Sequence, residues 1–302
     1  MLVQTVGEDI RPQVNRFKKT FESSSTKSID LFMARNPELA PVGKYIIAFE
    51  TFRAEQISQF REKANWAQEQ RKHPQPHLSL DGYLMRKAFQ GDDWYSYLFD
   101  RVTENLAAPI TLPDFSDGKV AFITFNYDRS LEYFLYESLS NSFTKVPEAE
   151  VIKCLKKLKI LHVYGQVAPL KWQDSNEGVD YRLEISESLL RSASSNIRTI
   201  YEEKENPELK EAQGLLAQAE RIFFLGFGYA PENMEVLGLP GIIPPINCEA
   251  YGTAFGLNDK EVERIRSRII EGLKFDSMGF KNRGGIVIKA MDCLELLRNY
   301  LE

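Results

Sequence analysis

From about residue 118 onward, short apolar segments alternate with amphipathic ones, and this alternation restricts the possible folds more than any other feature of the sequence. Five segments have the length and apolar content of buried strands: 119–125, 158–164, 221–226, 246–251 and 285–289. Helical patterns separate them at 129–140, 147–156, 207–219 and 258–272, and LELLRNYL ends the chain. Strands that alternate with helices pair in parallel. The sequence therefore predicts an α/β fold, with a Rossmann-like, mainly parallel sheet and helices on both faces.

The first third of the chain has a different pattern, which is almost wholly helical. Apolar residues recur at helical spacing from Val42 to Phe52. Thr26 or Ser28 is a candidate cap for one helix, and Asp92 or Asp93 for another. Most of the polar, proline-interrupted stretch 64–82 is predicted to be a mobile surface loop. Two domains follow from this contrast: a helical subdomain over 1–117 and a Rossmann-like core over 118–302.

Composition excludes several classes of protein. The net charge is −5, with lysine and arginine scattered along the chain, so no electrostatic footprint for nucleic acid is present. No apolar run reaches the roughly 18 residues that a membrane helix needs, and the N-terminus has no apolar signal-peptide core. The three cysteines form no C-x-x-C pair, which argues against a disulfide framework or a four-cysteine zinc ribbon. We therefore expect a cytoplasmic protein without a metal site.

Polar residues follow the predicted strands, at the edge where parallel sheets bind ligands. Asn126 and Asp128 follow the first strand, and His162 lies in the second. Gly226 and Gly228 follow the third strand, and the fourth carries Asn247 and Glu249. Each alone has a simpler explanation. A histidine in an apolar strand can be a hydrogen-bonded core residue, a G-x-G pair can be a turn, and Asn-x-Asp can be a turn and helix cap.

Taken in order, these motifs resemble the nucleotide-binding core of the sirtuin family. The motifs are T-F-N-Y-D (124–128), H-V-Y-G (162–165), L-G-F-G (225–228) and I-N-C-E (246–249). The chain is most similar to the bacterial, NAD-hydrolysing branch, which is often found in antiphage defence. SIDLFMARNPELAPVGKYIIAFE and DDWYSYLF also resemble the helical insertion of that branch, so the likeness extends from about residue 23.

The resemblance implies a role for each matching residue. Asn126, His162 and Asp128 would be catalytic: Asn126 would position the ribose or a water, Asp128 would hold the nicotinamide amide, and His162 would accept a proton from a ribose hydroxyl. NAD would be the substrate rather than a resident cofactor. The implied nucleotide contacts are Thr124, Phe125, Gly226, Gly228, Asn233, Asn247 and Glu249.

Two departures from the family pattern qualify these expectations. Deacylating members carry a four-cysteine zinc module, which three scattered cysteines cannot supply, so NAD hydrolysis is favoured over deacylation and no zinc is expected. The family also opens with a strand and a G-A-G-x-S loop that holds the phosphates. No such loop precedes residue 23 here. Either this unit lies upstream of the sequence, or the chain is a natural variant with weakened NAD binding.

Two functional classes remain open at this stage. The first is an enzyme that hydrolyses NAD+ to nicotinamide and ADP-ribose. The second is a non-catalytic nucleotide-binding or assembly module that retains the fold. A conventional oxidoreductase is disfavoured because no complete G-x-G-x-x-G is present. The expected partners are NAD or an ADP-ribose-type nucleotide, together with further copies of the chain or a defence-system protein, and neither membrane nor direct nucleic-acid contact is expected.

Overall fold

In a computed structural model, the chain has a mixed α/β fold with short parallel strands. The structure describes residues 2, 5, 7–26, 28–72, 93–104, 112, 115, 119–199, 202, 207–239, 248–272 and 285–301. Contacts divide the chain into two units, each built from two stretches. Unit 1 contains Met1–Ser79 and Asp114–Lys204, and unit 2 contains Leu80–Pro113 and Glu205–Glu302. The predicted domains, 1–117 and 118–302, follow a change in sequence pattern and stay a prediction.

Unit 1 has a helical layer and a two-stranded parallel sheet. After a 3₁₀ turn at Glu8–Ile10 come helices α1 (Arg11–Glu22), α2 (Ile29–Arg35) and, after a 3₁₀ turn at Pro37–Leu39, α3 (Ala40–Lys72). Strand β1 (Ala121–Thr124), helices α5 (Ser130–Ser142) and α6 (Glu148–Leu155), strand β2 (Lys159–His162) and helix α7 (Glu187–Asn196) follow. Strands β1 and β2 pair in parallel, with Thr124 opposite His162.

The core of unit 1 lies between the N-terminal helices and the segment that follows β2. Phe17 packs edge-on against Phe32 with ring centroids 5.2 Å apart. Most of the other buried members belong to α3, α7 and residues 167–168, and the full set is Met33, Leu39, Val42, Ile47, Ala48, Phe49, Phe52, Val167, Ala168, Leu189, Leu190, Ala193 and Ile197. The predicted helical spacing of Val42, Phe49 and Phe52 is confirmed, and these residues are what hold α3 against the rest of unit 1.

Unit 2 contains a three-stranded parallel sheet. Helix α4 (Trp94–Thr103) belongs to it, followed by α8 (Pro207–Gln218), β3 (Arg221–Phe224), α9 (Pro231–Val236), β4 (Glu249–Thr253), α10 (Asp259–Gly272), β5 (Ile286–Lys289) and α11 (Cys293–Tyr300). The strand order is β3-β4-β5, and both pairings are parallel. Gly252 of β4 lies close to its neighbours: a Cβ there would be 2.7 Å from Ile288 Cδ1.

Most predicted elements are confirmed, with three differences. All five strands exist, but they are shorter than predicted, and the fourth begins at Glu249 rather than at residue 246. Of the candidate caps, Ser28 caps α2 by accepting from the Leu31 N–H, and Asp93 caps α4 by accepting from the Ser96 N–H. The loop predicted over 64–82 is wrong for residues 64–72, which continue α3.

The helical continuation has a physical reason. Residues 64–72 are mainly Ala, Gln, Glu, Arg and Lys, which are strong helix formers, and the first proline follows only at residue 74. Residues 73–82 lie outside the described residues. Within the described part of the chain, no helix combines the length and the apolar composition that a membrane span requires.

Candidate functional site

The junction between β1 and α5 carries the predicted residues Asn126 and Asp128. Main-chain hydrogen bonds join this loop to the segment after β2: the Val163 N–H donates to the Thr124 carbonyl and the Val167 N–H to the Tyr127 carbonyl, both at 2.9 Å. The Asn126 N–H donates to Thr124 Oγ1 at 3.0 Å. The hydroxyl of Thr124, a predicted nucleotide contact, is therefore engaged within the loop. The Asn126 residue itself is exposed.

Asp128 is half-buried and begins the turn into α5. Its Oδ1 accepts hydrogen bonds from the Ser130 N–H, at 3.0 Å, and from the Ser130 hydroxyl. Among the described residues, no donor is bonded to its second oxygen, Oδ2. Asp128 thus has one oxygen engaged in a turn and one available to a ligand.

Asp128 lines a cleft of about 600 Å³ that lies wholly within unit 1. This volume is typical of small-molecule sites. The walls come from α2, α3, the β1–α5 junction and one tyrosine: Ile29, Ile46, Ile47, Glu50, Thr51, Ala54, Glu55, Asp128, Ser130 and Tyr181. None of these described lining residues is basic, and three are acidic. Glu50 is paired with Arg53 and Glu55 with Arg129, whereas no basic side chain is bonded to Asp128 among the described residues. The cleft therefore suits a ligand that is apolar or aromatic and that offers an N–H donor or a positive charge to Asp128.

A buried ion pair joins Glu55, in the wall of the cleft, to Arg129. Arg129 is fully buried, and its guanidinium binds the Glu55 carboxylate of α3 through two contacts, Nε–Oε1 at 2.9 Å and Nη2–Oε2 at 3.1 Å. It also donates to the carbonyls of Val179 at 3.0 Å and Asp180 at 2.7 Å. Arg129 lies between Asp128 and Ser130 in sequence, so this pair attaches the ligand-facing residues to α3.

Aromatic rings complete the surroundings of Arg129. The guanidinium carbon lies 5.4 Å from the Phe52 ring centroid and 5.6 Å from that of Tyr181, which itself lines the cleft. The Tyr181 ring stacks on Tyr133 with centroids 3.9 Å apart. A delocalised cation between two rings is favourable. Sequence analysis missed Arg129 and Glu55, although a glutamate among the apolar positions of α3 is a signal for a buried partner.

His162, at the end of β2, is buried and does not line the cleft. Its Nδ1 lies 2.9 Å from the main-chain carbonyl oxygen of Asn126, and its Nε2 lies 2.6 Å from Glu132 Oε1. Burial lowers the pKa of His162, but the hydrogen bond and charge of Glu132 outweigh it, so the net direction is upward. The structure thus brings His162 and Asn126 together through the Asn126 main chain, behind the loop.

The third predicted group, the glycines after β3, lies in unit 2. Gly226 has φ +62° and donates its N–H to Thr253 Oγ1 at 2.8 Å. The positive φ explains a glycine there, but this N–H already has a partner. A Cβ on Gly228 would meet no atom within 4 Å, so no close approach requires that glycine. Asn233 lies in the short helix α9.

The remaining predicted contacts are placed as follows. Glu249 is the first residue of β4, opposite Arg221, so its predicted placement at the carboxyl end of a strand is wrong. Glu249 is exposed at the first pairing position of β4, and its carboxylate accepts from the Tyr251 hydroxyl at 2.9 Å. Phe125 packs edge-on against Tyr164, with centroids 5.3 Å apart. Asn247 lies outside the described residues.

Among the described residues, no group of three or more His, Cys, Asp or Glu side chains could hold a metal ion. The three cysteines are free thiols, and Cys154 and Cys248 are buried. Burial raises the pKa of the Cys248 thiol to about 11.

Comparisons with known proteins do not assign the chain to a family. No family model, no curated protein sequence and no solved structure matches the chain. The sequence motifs and the geometry of the Asp128 cleft are therefore the features that bear on function.

Proposed function

We propose that the protein is a sirtuin-like NAD+ hydrolase, which cleaves the nicotinamide–ribose bond in the Asp128 cleft. The observation that carries this proposal is the position of Asp128: at the end of a parallel strand, with a free carboxylate oxygen, in an acidic and apolar cleft of about 600 Å³. The nicotinamide of NAD+ is an aromatic cation with an amide donor. Both features complement the lining residues.

The chemistry needs few protein groups. The bond between C1′ of the ribose and the nicotinamide nitrogen breaks, and its electron pair leaves with the neutral nicotinamide. A water oxygen then bonds to C1′ and releases one proton, which gives ADP-ribose. The intermediate positive charge on the ribose is oxocarbenium-like, as in glycoside hydrolysis. The Asp128 carboxylate would accept the amide N–H of the nicotinamide, as the resemblance implies, and would stabilise the positive charge that develops beside it.

The wider assignment follows from the resemblance. The two parallel sheets support a Rossmann-like arrangement of βαβ units. Asn126 is proposed to contact the ribose, since it is exposed two residues before Asp128. The nucleotide contacts of Thr124, Phe125, Gly226, Gly228, Asn233, Asn247 and Glu249 stay predictions. NAD depletion in antiphage defence, with a partner protein or further copies of the chain, is the proposed setting.

One observation favours a second candidate, a non-catalytic nucleotide-binding module. His162, which the resemblance casts as the proton acceptor, is buried, and both of its ring nitrogens contact protein oxygens. A general base must reach the proton that it removes. The hydrolase proposal therefore requires that catalysis proceed without direct proton transfer to His162.

Nicotinamide release from NAD+ tests the proposal. Purified protein, at an NAD+ concentration of about 1 mM, the upper end of ordinary KM values, should release nicotinamide in a chromatographic assay. Asp128→Asn should lower the rate by about 10²–10³-fold, as removal of one preorganised electrostatic group typically does. Asp180→Asn is the matched control, because Asp180 is an exposed carboxylate that does not line the cleft and whose side chain binds Lys171.

The two candidates give different results. The hydrolase is supported if the protein releases nicotinamide, if Asp128→Asn abolishes this release and if Asp180→Asn preserves it. The binding module is supported if calorimetry shows NAD+ binding that Asp128→Asn weakens, while no nicotinamide is released. Equal rates for the wild type and Asp128→Asn would contradict the assignment of the cleft.

A further inference from the structure

Three polar side chains form a cluster beneath the Asp128 loop: the buried Glu132 of α5, the buried His162 of β2 and the half-buried Gln166. Glu132 is 1 % exposed and His162 is 7 % exposed. Gln166 Nε2 donates to Glu132 Oε1 at 2.7 Å, and His162 Nε2 approaches the same oxygen at 2.6 Å. A carboxylate that is removed from water is costly unless it is paired and hydrogen-bonded, and this one is both.

The proton count on His162 follows from its two partners. The Asn126 carbonyl, 2.9 Å from Nδ1, can only accept a hydrogen bond. The Glu132 oxygen, 2.6 Å from Nε2, also accepts a donor from Gln166, which favours the ionised carboxylate. A neutral imidazole has one N–H and would leave one of these close oxygens facing a bare nitrogen. An imidazolium satisfies both.

We propose that His162 is held as an imidazolium by Glu132 and acts as a positioning residue, which fixes the loop that carries Asn126 and Asp128. The ring donates one N–H to the main chain of Asn126 and the other to Glu132. It therefore connects α5 and β2 to the loop two residues before Asp128. His162 acts through the loop, because it does not line the cleft. This role deepens the proposed function, and its catalytic consequence rests on that function.

The electrostatic surroundings agree with a charged ring. The groups that face His162 are Glu132 of α5, the neutral Gln166, and Asp128 of the loop, whose charge also raises the pKa of the imidazole. The net raised pKa has a defined sign for stability. The pair stabilises the fold fully below the unfolded pKa of about 6.5, and this contribution is lost as pH rises through the higher folded pKa.

Nitrogen NMR of the histidine rings tests the protonation state directly, without any assay of activity. The chain has only three histidines, and His162→Gln assigns the signal. At pH 8 an ordinary histidine is about 3 % protonated, whereas His162 should still carry hydrogen on both ring nitrogens. In Glu132→Gln the ring should become neutral at this pH. A His162 ring with one hydrogen at pH 8 in the wild type would overturn the proposal.

Amide hydrogen exchange tests the positioning role. Glu132→Gln should speed exchange of two amides that are bonded at the loop, Val167, which donates to the Tyr127 carbonyl, and Asn126, which donates to Thr124 Oγ1. We expect an increase of about tenfold or more, since the ring is no longer a charged donor to the loop. Glu137→Gln, on the same helix, is the matched control and should leave these rates unchanged. Equal loop exchange in both variants would show that the pair does not hold the loop, whatever the activity of the protein.

Kinetics then separate positioning from proton transfer. If His162 acts only through the loop, Glu132→Gln and His162→Gln should lower the rate of nicotinamide release by similar factors, and the double variant should lose little more. If His162 were instead a general base, His162→Gln would lower the rate of nicotinamide release much more than Glu132→Gln. The rate would also rise as a histidine is deprotonated. That pattern would refute positioning while leaving the hydrolase proposal intact.

Discussion

The strand-to-helix junctions after β1 and after β3 both carry predicted site residues, and they are built by different means. The junction after β1, residues 125–129, has no residue at positive φ and is held by charged, buried side chains. The junction after β3, residues 225–230, has Gly226 and Tyr229 at positive φ, and the neutral hydroxyl of Thr253 accepts the Gly226 N–H. One shape is set by side-chain partners, the other by the backbone.

This difference explains why the first junction lacks glycine. A glycine turn exposes main-chain N–H groups and suits phosphates. The β1 junction instead presents a carboxylate to a cleft without basic lining residues among those described. Asp128 requires no unusual backbone, but it does require that its neighbours be fixed, and Arg129 and the Glu132–His162 pair fix them. The first junction should therefore be sensitive to loss of charge, and the second to added bulk.

The largest effect should come from breaking the Arg129–Glu55 pair. Arg129→Met removes the guanidinium that binds both oxygens of the 3 % exposed Glu55 carboxylate, and removing one partner of a buried pair typically costs about 3–5 kcal/mol. Urea unfolding should show the loss as a lower midpoint. The control is Arg191→Ala, which breaks an exposed pair with Glu187 and should cost under about 1 kcal/mol.

The double variant sharpens this result. Glu55→Leu combined with Arg129→Met removes both charges and should recover part of the stability. If Arg129→Met costs no more than Arg191→Ala, then the buried pair does not hold the first junction, and the contrast between the two junctions fails.

The next effect concerns bulk near the second junction. A Cβ on Gly252 would lie 2.2 Å from Tyr229 Oη and 2.7 Å from Ile288 Cδ1. Gly252→Ala should therefore destabilise the protein by roughly 1–3 kcal/mol. Tyr229 Oη is buried and has no hydrogen-bond partner among the described residues, so Tyr229→Phe alone should be close to neutral.

Combining the two substitutions tests the cause. Gly252→Ala with Tyr229→Phe should be more stable than Gly252→Ala alone, because the nearest clashing atom is gone. Additive thermal shifts in the double variant would instead indicate that the Ile288 contact alone produces the cost.

A smaller effect distinguishes the two glycines of the G-F-G turn. Gly226 has φ +62°, whereas Gly228 does not have a positive φ and has open space at its Cβ position. Gly226→Ala should cost about 1–2 kcal/mol, the usual cost of a left-handed conformation for a residue with a Cβ. Gly228→Ala should stay within about 0.5 kcal/mol. Equal losses in calorimetric melting would show that backbone conformation does not decide the shape of this turn.

The sequence predicts those helices and strands that have a clear hydrophobic period, and it does not predict the others. Buried strands and amphipathic helices differ in period, so the strands near 121–124 and 159–162 were predictable as elements. Residues 64–72 were not, because the apolar period stops there and only intrinsic helix propensity remains. Helix α7 was also missed, since its serine-rich sequence conceals three buried residues, Leu189, Leu190 and Ala193.

The candidate site also has a part that could be predicted from the sequence and a part that could not. Asp128 could be predicted, because it follows a strand in a motif that resembles a known family. Its supporting partners could not. Glu55 lies 74 residues from Arg129, and Glu132 lies 30 residues from His162. Nothing in one sequence states that such distant charges meet, since pairing at this range depends on how α3, α5 and β2 pack.

The smallest expected effect is at Thr253, the anchor of the second junction. Its Oγ1 accepts the Gly226 N–H at 2.8 Å and lies 3.3 Å from the Phe224 carbonyl oxygen, to which it can donate. Thr253→Val keeps the shape and removes the hydroxyl, so it should cost about 0.5–1.5 kcal/mol. Because Gly226 is exposed, water can replace the lost acceptor and keep the cost at the lower end.

Thr253→Ser is the control, because it keeps the hydroxyl. The Gly226 amide should therefore retain its wild-type hydrogen-exchange protection in Thr253→Ser and lose it in Thr253→Val. If Thr253→Val leaves that protection unchanged, the turn is held by its backbone conformation alone, and the second junction differs from the first even more sharply.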